Sequence, residues 1–101
     1  MLKPYVKLQV ENHVGYIEFF HPEHNAMPSD NLKKLENTIV EAGKINAVKV
    51  IVLKSGGDRT FCAGASFKEL IAIEDSEAGK QFFSGFANVI NAMRKCPKLI
   101  I

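Results

Sequence analysis

The ten residues FCAGASFKEL, positions 61–70, carry the pattern that decides how the rest of the chain is interpreted. Three consecutive small residues, Ala63, Gly64 and Ala65, follow an apolar run and precede a stretch with helical spacing. Small side chains let a ligand approach the main chain closely, and the start of a helix presents backbone N–H groups with a partial positive charge. An N–H group so placed can receive a developing oxyanion. The alternative is a tight strand-to-helix crossing in which larger side chains do not fit.

The residues before this stretch predict a β-hairpin, a helix and a buried strand. Apolar and polar side chains alternate over 5–11, and residues 15–20 form the returning strand after a tight turn. Spacings of three and four between apolar residues predict an amphipathic helix over 30–44, capped by Ser29. The nearly continuous apolar run at 48–53 suits a strand that is buried on both faces.

The residues after the stretch predict two helices and the beginning of another strand. A short helix is expected over 67–73, and a longer one begins at a cap of Asp75 or Ser76 and ends before Pro97. The predicted apolar stripe of the longer helix consists of Phe82, Phe86, Val89, Ile90 and Met93. The chain then ends on an apolar run that starts near Lys98. This order predicts an α/β arrangement, and we expect the chain to stop inside a larger fold.

The composition excludes several classes of protein. With 47% hydrophobic and 24% charged residues, the 101-residue chain is neither a disordered tail nor a repetitive linker. Its formal charge of +2, from scattered basic residues, gives no reason to expect a nucleic-acid partner. No apolar run approaches the roughly 18–20 residues that span a bilayer, so no membrane partner is expected. Cys62 and Cys96 fit neither a disulfide framework nor a metal site, and we expect both near the core of a cytoplasmic protein.

Two common ligand motifs are not present in functional form. His21 and His24 flank Pro22, which prevents the one-turn helical spacing of a zincin H-E-x-x-H site, and no metal is expected. Gly79 and Lys80 lack the preceding glycine and the following Ser or Thr of a phosphate-binding loop. The sequence therefore does not predict a metal site or a nucleotide-phosphate site.

Three segments together resemble the crotonase superfamily, the enoyl-CoA hydratases and isomerases. FCAGASFKEL closely resembles the F-C-A-G-A-D-L-K-E-L segment of that family. The upstream sequence HPEHNAM, residues 21–27, is similar to its loop of Pro, two or three residues and Asn-Ala-Leu, and VIVLKS, residues 50–55, is similar to its central strand. The order and separations of these segments agree from Val6 to Ile101. Any one segment would be a weak signal, whereas the combination is specific.

The resemblance implies a crotonase-like ββα spiral, of which residues 1–101 supply only the N-terminal repeats of a single domain. It also implies an acyl-CoA substrate, with coenzyme A as part of the substrate rather than a separate cofactor, and a homotrimer or hexamer of the full-length protein. In such enzymes two backbone N–H groups hold the thioester oxygen, and the first donor maps onto Ala65. Positions along the coenzyme-A and acyl path match Ala63, Gly64, Ser66, Phe67 and Lys68, and positions near the pantetheine and adenine match His24 and Ala26.

The sequence departs from the family pattern in two ways. Ser66 stands where the family most often has Asp, and its conservative role is to cap the following helix. The second oxyanion donor and the catalytic carboxylates of the family lie beyond the strand that begins near Lys98. Glu69, Glu74 and Asp75 are expected to be helix-surface or capping groups rather than replacements for those carboxylates.

The function that the resemblance implies is that of an enoyl-CoA hydratase/isomerase-type enzyme, with water added to a 2-enoyl-CoA through an enolate-like intermediate. The 101 residues alone are expected to be inactive, because the acid and base residues are not among them. The alternative is a non-catalytic module that binds coenzyme A or an interaction partner without turnover.

Overall fold

The computed structural model describes residues 3–58 and 60–101, apart from the side chain of Phe67. Within these residues the strands are β1 (Tyr5–Glu11), β2 (Val14–Phe20), β3 (Ala26–Met27), β4 (Val50–Ser55), β5 (Gly64–Ala65) and β6 (Leu99–Ile100). The helices of the same residues are α1 (Ser29–Lys44), α2 (Phe67–Ile71) and α3 (Ser76–Lys95).

The larger sheet has the strand order β1-β2-β4-β6. β1 and β2 form an antiparallel hairpin, with Asn12 and His13 in the left-handed conformation at the turn. β4 runs parallel to β2, and β6 runs parallel to β4. Parallel neighbours require crossover connections, which α1 provides between β2 and β4 and the α2–α3 segment provides between β4 and β6. This order confirms the predicted α/β arrangement, the hairpin and the strand beginning near Lys98.

The hydrophobic core lies where the larger sheet meets α1 and α3. Ile17 of β2, Ile51 of β4 and Ile39 of α1 are buried in one hydrophobic cluster, to which α3 adds Val89. Burial of each such side chain stabilises the fold by about 1.5–3 kcal/mol relative to exposure. Alternate residues of β2 are buried, as expected of a strand that places one face against the core. The sheet and the helices together form the frame to which the remaining loops attach.

A second, very short sheet joins the loop after β2 to the segment before α2. In it β3 and β5 run parallel, with Ala26 paired to Gly64 and Met27 paired to Ala65. We call this pair the β3–β5 ladder. The sequence does not predict it, because two residues are too few to show a periodic pattern.

The predicted cap of α1 is wrong. The helix begins at Ser29 itself, and its N-cap is Pro28, which makes no side-chain cap bond. The N–H of Leu32 reaches the Pro28 carbonyl oxygen at 3.0 Å, which closes the first helical turn. The Ser29 hydroxyl instead donates a hydrogen bond to Glu69. A tertiary partner has therefore replaced the local capping bond.

Two element boundaries also differ from the predicted ones. β4 begins at Val50 rather than at Val48, because the N–H of Val48 donates to the Ile45 carbonyl oxygen at 3.1 Å in the turn after α1. Val48 is fully buried all the same, which explains its place in the apolar run. α2 ends at Ile71 instead of residue 73, with Ala72 as its C-cap.

Burial corrects two further expectations. Ile90 is 54% exposed, so it does not belong to the apolar stripe of α3. It follows Val89 by one position, which turns its side chain about a quarter of the way around the helix and away from the core. Cys62 is exposed in the segment before β5, whereas Cys96 is half-buried and packs against the core as predicted. No helix among the described residues combines the length and the apolar character that crossing a bilayer requires.

Candidate functional site

The β3–β5 ladder brings together the two segments that the sequence singles out. Its register sets the Ala26 main chain beside Gly64 and the Met27 main chain beside Ala65. The N–H of Ala63 extends this contact by donating to the Asn25 carbonyl oxygen at 3.4 Å. Residues about forty positions apart in the chain therefore lie side by side.

Asn25 holds the loop before β3 in its shape. Its side chain is 3% exposed, and its backbone has φ 61°, a left-handed conformation that asparagine tolerates better than most residues. The side-chain oxygen accepts a hydrogen bond from the His21 N–H at 2.7 Å. The side-chain amide donates to the carbonyl oxygens of Gly56 at 3.0 Å and Thr60 at 2.6 Å. One buried side chain thus fastens the loop after β4 to the loop before β3.

The backbone between β5 and α2 depends on one glycine and one serine. Gly64 has φ 95°, which residues with a side chain rarely adopt, while no heavy atom lies within 4 Å of where its Cβ would be. Glycine is needed there for the backbone conformation, and the open space contradicts the alternative of a tight crossing at this position. Ser66 is buried, and its Oγ accepts a hydrogen bond from the Glu69 N–H at 3.4 Å. The predicted Ser66 cap of α2 is confirmed.

Two side chains of α2 bind residues on either side of β3. The Lys68 Nζ lies 2.8 Å from a carboxylate oxygen of Glu23 in an exposed ion pair. Their hydrogen bond lowers the pKa of Glu23 and raises the pKa of Lys68. The Glu69 carboxylate accepts hydrogen bonds from the Ser29 N–H, at 2.9 Å, and from the Ser29 hydroxyl. Glu23 precedes β3 and Ser29 follows it, so α2 is attached to both ends of that strand.

The residues predicted for the site differ in exposure. The exposed ones are His24, Ala63 and Lys68, the half-buried ones are Gly64 and Ala65, and the buried ones are Ala26 and Ser66. Phe67 begins α2, but its side chain lies outside the described part of the structure. The ladder therefore aligns the predicted segments without burying all of their members.

Two cavities flank these segments. One of about 230 Å³ has His24, Asn25 and Gly57 in its lining. The other, of about 340 Å³, has Ser29 and Glu69 in its lining together with side chains of α3. Among residues 3–58 and 60–101, no group of three His, Cys, Asp or Glu side chains is arranged to hold a metal ion.

Comparison with known protein families assigns the chain. The sequence model described as enoyl-CoA hydratase/isomerase matches residues 9–101. The chain belongs to this family. No individual curated protein sequence matches it.

Solved structures of enoyl-CoA hydratases and related proteins share its fold. An enoyl-CoA hydratase/carnithine racemase from Magnetospirillum magneticum matches with a TM-score of 0.85 and 18% identity over 94% of this chain and 36% of its own. An enoyl-CoA hydratase from Bacillus anthracis matches with a TM-score of 0.83 and 18% identity over 94% of this chain and 37% of its own. An enoyl-CoA hydratase from Bacillus halodurans matches with a TM-score of 0.84 and 17% identity over 95% of this chain and 40% of its own.

These structures confirm the predicted crotonase-like ββα spiral of this enoyl-CoA hydratase/isomerase family member. The chain spans two-fifths or less of the length of each of the three structures.

Sequence reasoning missed three contacts that shape this part of the family fold. Asn25 carried a usable signal, because asparagine in a proline-containing loop favours turns with left-handed backbone. The Glu23–Lys68 pair and the Ser29–Glu69 bonds carried none. Their partners come from different elements, and nothing local distinguishes these charged or polar residues from ordinary surface ones.

Proposed function

We propose that the chain is part of an enzyme that acts on acyl-CoA thioesters, with the backbone N–H of Ala65 as the first oxyanion donor. The reaction that we propose is the addition of water to a 2-enoyl-CoA. The observation that carries the proposal is the β3–β5 ladder, in which the main chain of Ala65 is paired with that of Met27. Family membership supports the substrate class, and the ladder supports the assignment of a main-chain group at this position.

The proposed chemistry requires a donor that is already oriented before the substrate arrives. Negative charge develops on the thioester oxygen as the enolate-like intermediate forms, and an N–H held in place stabilises that charge more than it stabilises the starting carbonyl. Loss of one such donor typically costs about 3–4 kcal/mol of transition-state stabilisation. An ordinary substitution leaves the N–H of Ala65 in place, so its role is tested by blocking access to it.

The same proposal assigns ligand contacts to His24, Ala26 and the segment Ala63–Lys68. Lys68 is compatible with this role although it is paired with Glu23. A lysine ammonium has three N–H donors. The ammonium of Lys68 is exposed, and its 2.8 Å contact with one carboxylate oxygen of Glu23 leaves donors for a second partner. An anionic group of coenzyme A can therefore bind Lys68 without breaking the ion pair.

The acid and base for hydration are proposed to come from outside these 101 residues. Both oxygens of Glu69 accept hydrogen bonds from Ser29, and Asp75 accepts one from the Ala78 N–H at 2.8 Å as the cap of α3. These two carboxylates have structural partners and do not supply an acid–base pair. We propose that the chain alone binds acyl-CoA without turnover, and that the longer protein is a cytoplasmic homotrimer or hexamer.

Titration of the isotope-labelled chain with acetyl-CoA tests the binding part of the proposal. We expect saturable changes in the amide signals of Ala63 to Ser66. A65L should remove them, because a leucine side chain would block access to the adjacent main chain, whereas the control A87L, at an exposed position of α3, should keep them. An unchanged A65L titration, or no change at these amides in the natural sequence, would refute the site.

Hydration of crotonyl-CoA tests the catalytic part. We expect no turnover by the 101-residue chain and turnover by the longer protein that contains it. Measurable hydration by the chain would overturn the assignment of the acid and base to other residues. Binding without hydration by the longer protein would instead support the non-catalytic module.

A further inference from the structure

Glu69 supplies α1 with the cap that its own sequence lacks. Pro28, at the N-cap position, has no side-chain acceptor, and the first backbone N–H of the helix belongs to Ser29. Glu69 accepts that N–H at 2.9 Å through one oxygen and the Ser29 hydroxyl through the other. A carboxylate is well suited to this place, because the N-terminus of a helix carries a partial positive charge. A residue of α2 therefore caps α1 across a separation of 40 residues.

The same contact closes a ring around one end of the β3–β5 ladder. Met27 and Ser29 are separated only by Pro28, and Ala65 is followed directly by Ser66, whose Oγ holds the Glu69 N–H. The ring thus runs from Met27 through Ser29 to Glu69 and back to Ala65, which pairs with Met27. Each bond in it constrains the next main-chain group.

The ladder needs such support because it is so short. Each of its strands contributes two residues, and an isolated pair of strands is at best marginally stable in water. A carboxylate that accepts two hydrogen bonds from one residue fixes both the distance and the direction between the attached segments. The Ser29–Glu69 contact therefore supplies a constraint that two ladder pairs cannot supply alone.

We propose that Glu69 is a positioning residue that orients the Ala65 main chain through Ser29, and that it is not an acid or base. This inference rests on the proposed role of Ala65 as an oxyanion donor. A positioning role requires only hydrogen bonds from the side chain, whereas an acid or base must also gain and lose a proton. A glutamine can accept the Ser29 N–H and donate to the Ser29 oxygen, so it preserves the connection while removing the carboxylate.

The experiment compares E69A, E69Q and S29A with E41A, a control at an exposed glutamate of α1. The first readout is the set of amide signals of Gly64 and Ala65 in the ligand-free chain, and the second is the dissociation constant for acetyl-CoA. We expect E69A to shift those signals and to weaken binding by about tenfold or more, as befits loss of hydrogen bonds to a charged group. E69Q and E41A should leave both the amide signals and the dissociation constant close to those of the natural sequence. The effect of S29A on both readouts should be intermediate between those of E69A and E69Q.

The outcomes separate this inference from the proposed function. If E69A leaves the Gly64 and Ala65 amides in place, or if E69Q disturbs them as much as E69A, the positioning role is wrong. Should E69A fail to fold, S29A decides the matter, because it removes the hydroxyl bond and keeps the N–H bond. If the natural chain shows no response to acetyl-CoA while E69A still moves the two amides, the ring is real and the proposed function fails.

Discussion

Replacing Asn25 by alanine should destabilise the chain far more than the same change at a superficially similar asparagine. N25A removes the partner of the His21 N–H and of the Gly56 and Thr60 carbonyl oxygens, which bond Asn25 at 2.7, 3.0 and 2.6 Å. Leaving a buried polar group unpaired costs about 1–3 kcal/mol, and these loop groups can regain some contact with water. We therefore expect the loss of these bonds in N25A to lower the free energy of unfolding by about 3–5 kcal/mol, in addition to any backbone penalty.

Asn12 is the matched control for this experiment. Its backbone is also left-handed, with φ 51° against 61° at Asn25, but its side chain is exposed at the hairpin turn. N12A thus shares the backbone penalty of roughly 1–2 kcal/mol without the loss of buried hydrogen bonds. N25G separates the two contributions in the other direction, since glycine relieves the backbone and still lacks the amide.

Urea unfolding followed by circular dichroism provides the measurement. With linear extrapolation, the difference between N25A and N12A is obtained from the midpoints as long as the slopes agree. A 3 kcal/mol loss is a large part of the roughly 5–15 kcal/mol that stabilises a typical domain. The expected difference in unfolding free energy between N25A and N12A is therefore large enough to measure. If N25A and N12A fall within about 1 kcal/mol of each other, the three bonds do not hold the loops together as described.

Three further predictions follow from single contacts. The Tyr5 hydroxyl, with Lys7 and Lys54, lowers the pKa of Glu18 below its ordinary 4.5, so this carboxylate contributes stability at neutral pH that is lost as the pH falls through its folded pKa. In Y5F the free energy of unfolding should fall less between about pH 6 and pH 3 than in the natural sequence, as measured by urea midpoints. G64A should lower the free energy of unfolding by about 1–2 kcal/mol, because Gly64 has a φ of 95°. G79A should raise it by about 0.5–1 kcal/mol, since Gly79 lies in a helix and its Cβ would meet Ile73 at an ordinary 3.5 Å. Thermal melts in which both variants shift the melting temperature in the same direction would contradict this pair of predictions. S66A should cost about 1 kcal/mol through loss of the α2 cap, and S66D, which retains an acceptor, should cost less; a stable S66A would argue against the cap.

The elements that could be predicted are those with a pattern several residues long or a local cap. The β1–β2 hairpin, α1 and α3 show periods of two or three to four, and Asp75 and Ser66 cap helices that follow them directly. Both signals arise within one segment, so the sequence displays them. The ends of elements were less secure, because tertiary contacts such as the one between Ser29 and Glu69 decide where a helix begins.

The candidate site was harder to predict than the fold around it. Nothing in the sequence of residues 26–27 or 64–65 shows that these segments pair, because each strand has only two residues. The family resemblance implied that both segments lie near a coenzyme-A ligand, and it did not imply that they pair with each other. The buried amide of Asn25 was equally hidden, since its three partners lie 4, 31 and 35 positions away.

The brevity of the β3–β5 ladder has a consequence for how damage to this region would show itself. Proteins open locally with free energies that range from near zero up to the global value, and segments with few backbone bonds open first. The larger sheet pairs seven residues of β1 with seven of β2, whereas the ladder has two pairs. A variant can therefore fray at the ladder while its sheet stays closed. Such a molecule would keep the circular dichroism spectrum of its larger sheet and helices, whereas amide-resolved exchange at the ladder would report that the site had opened.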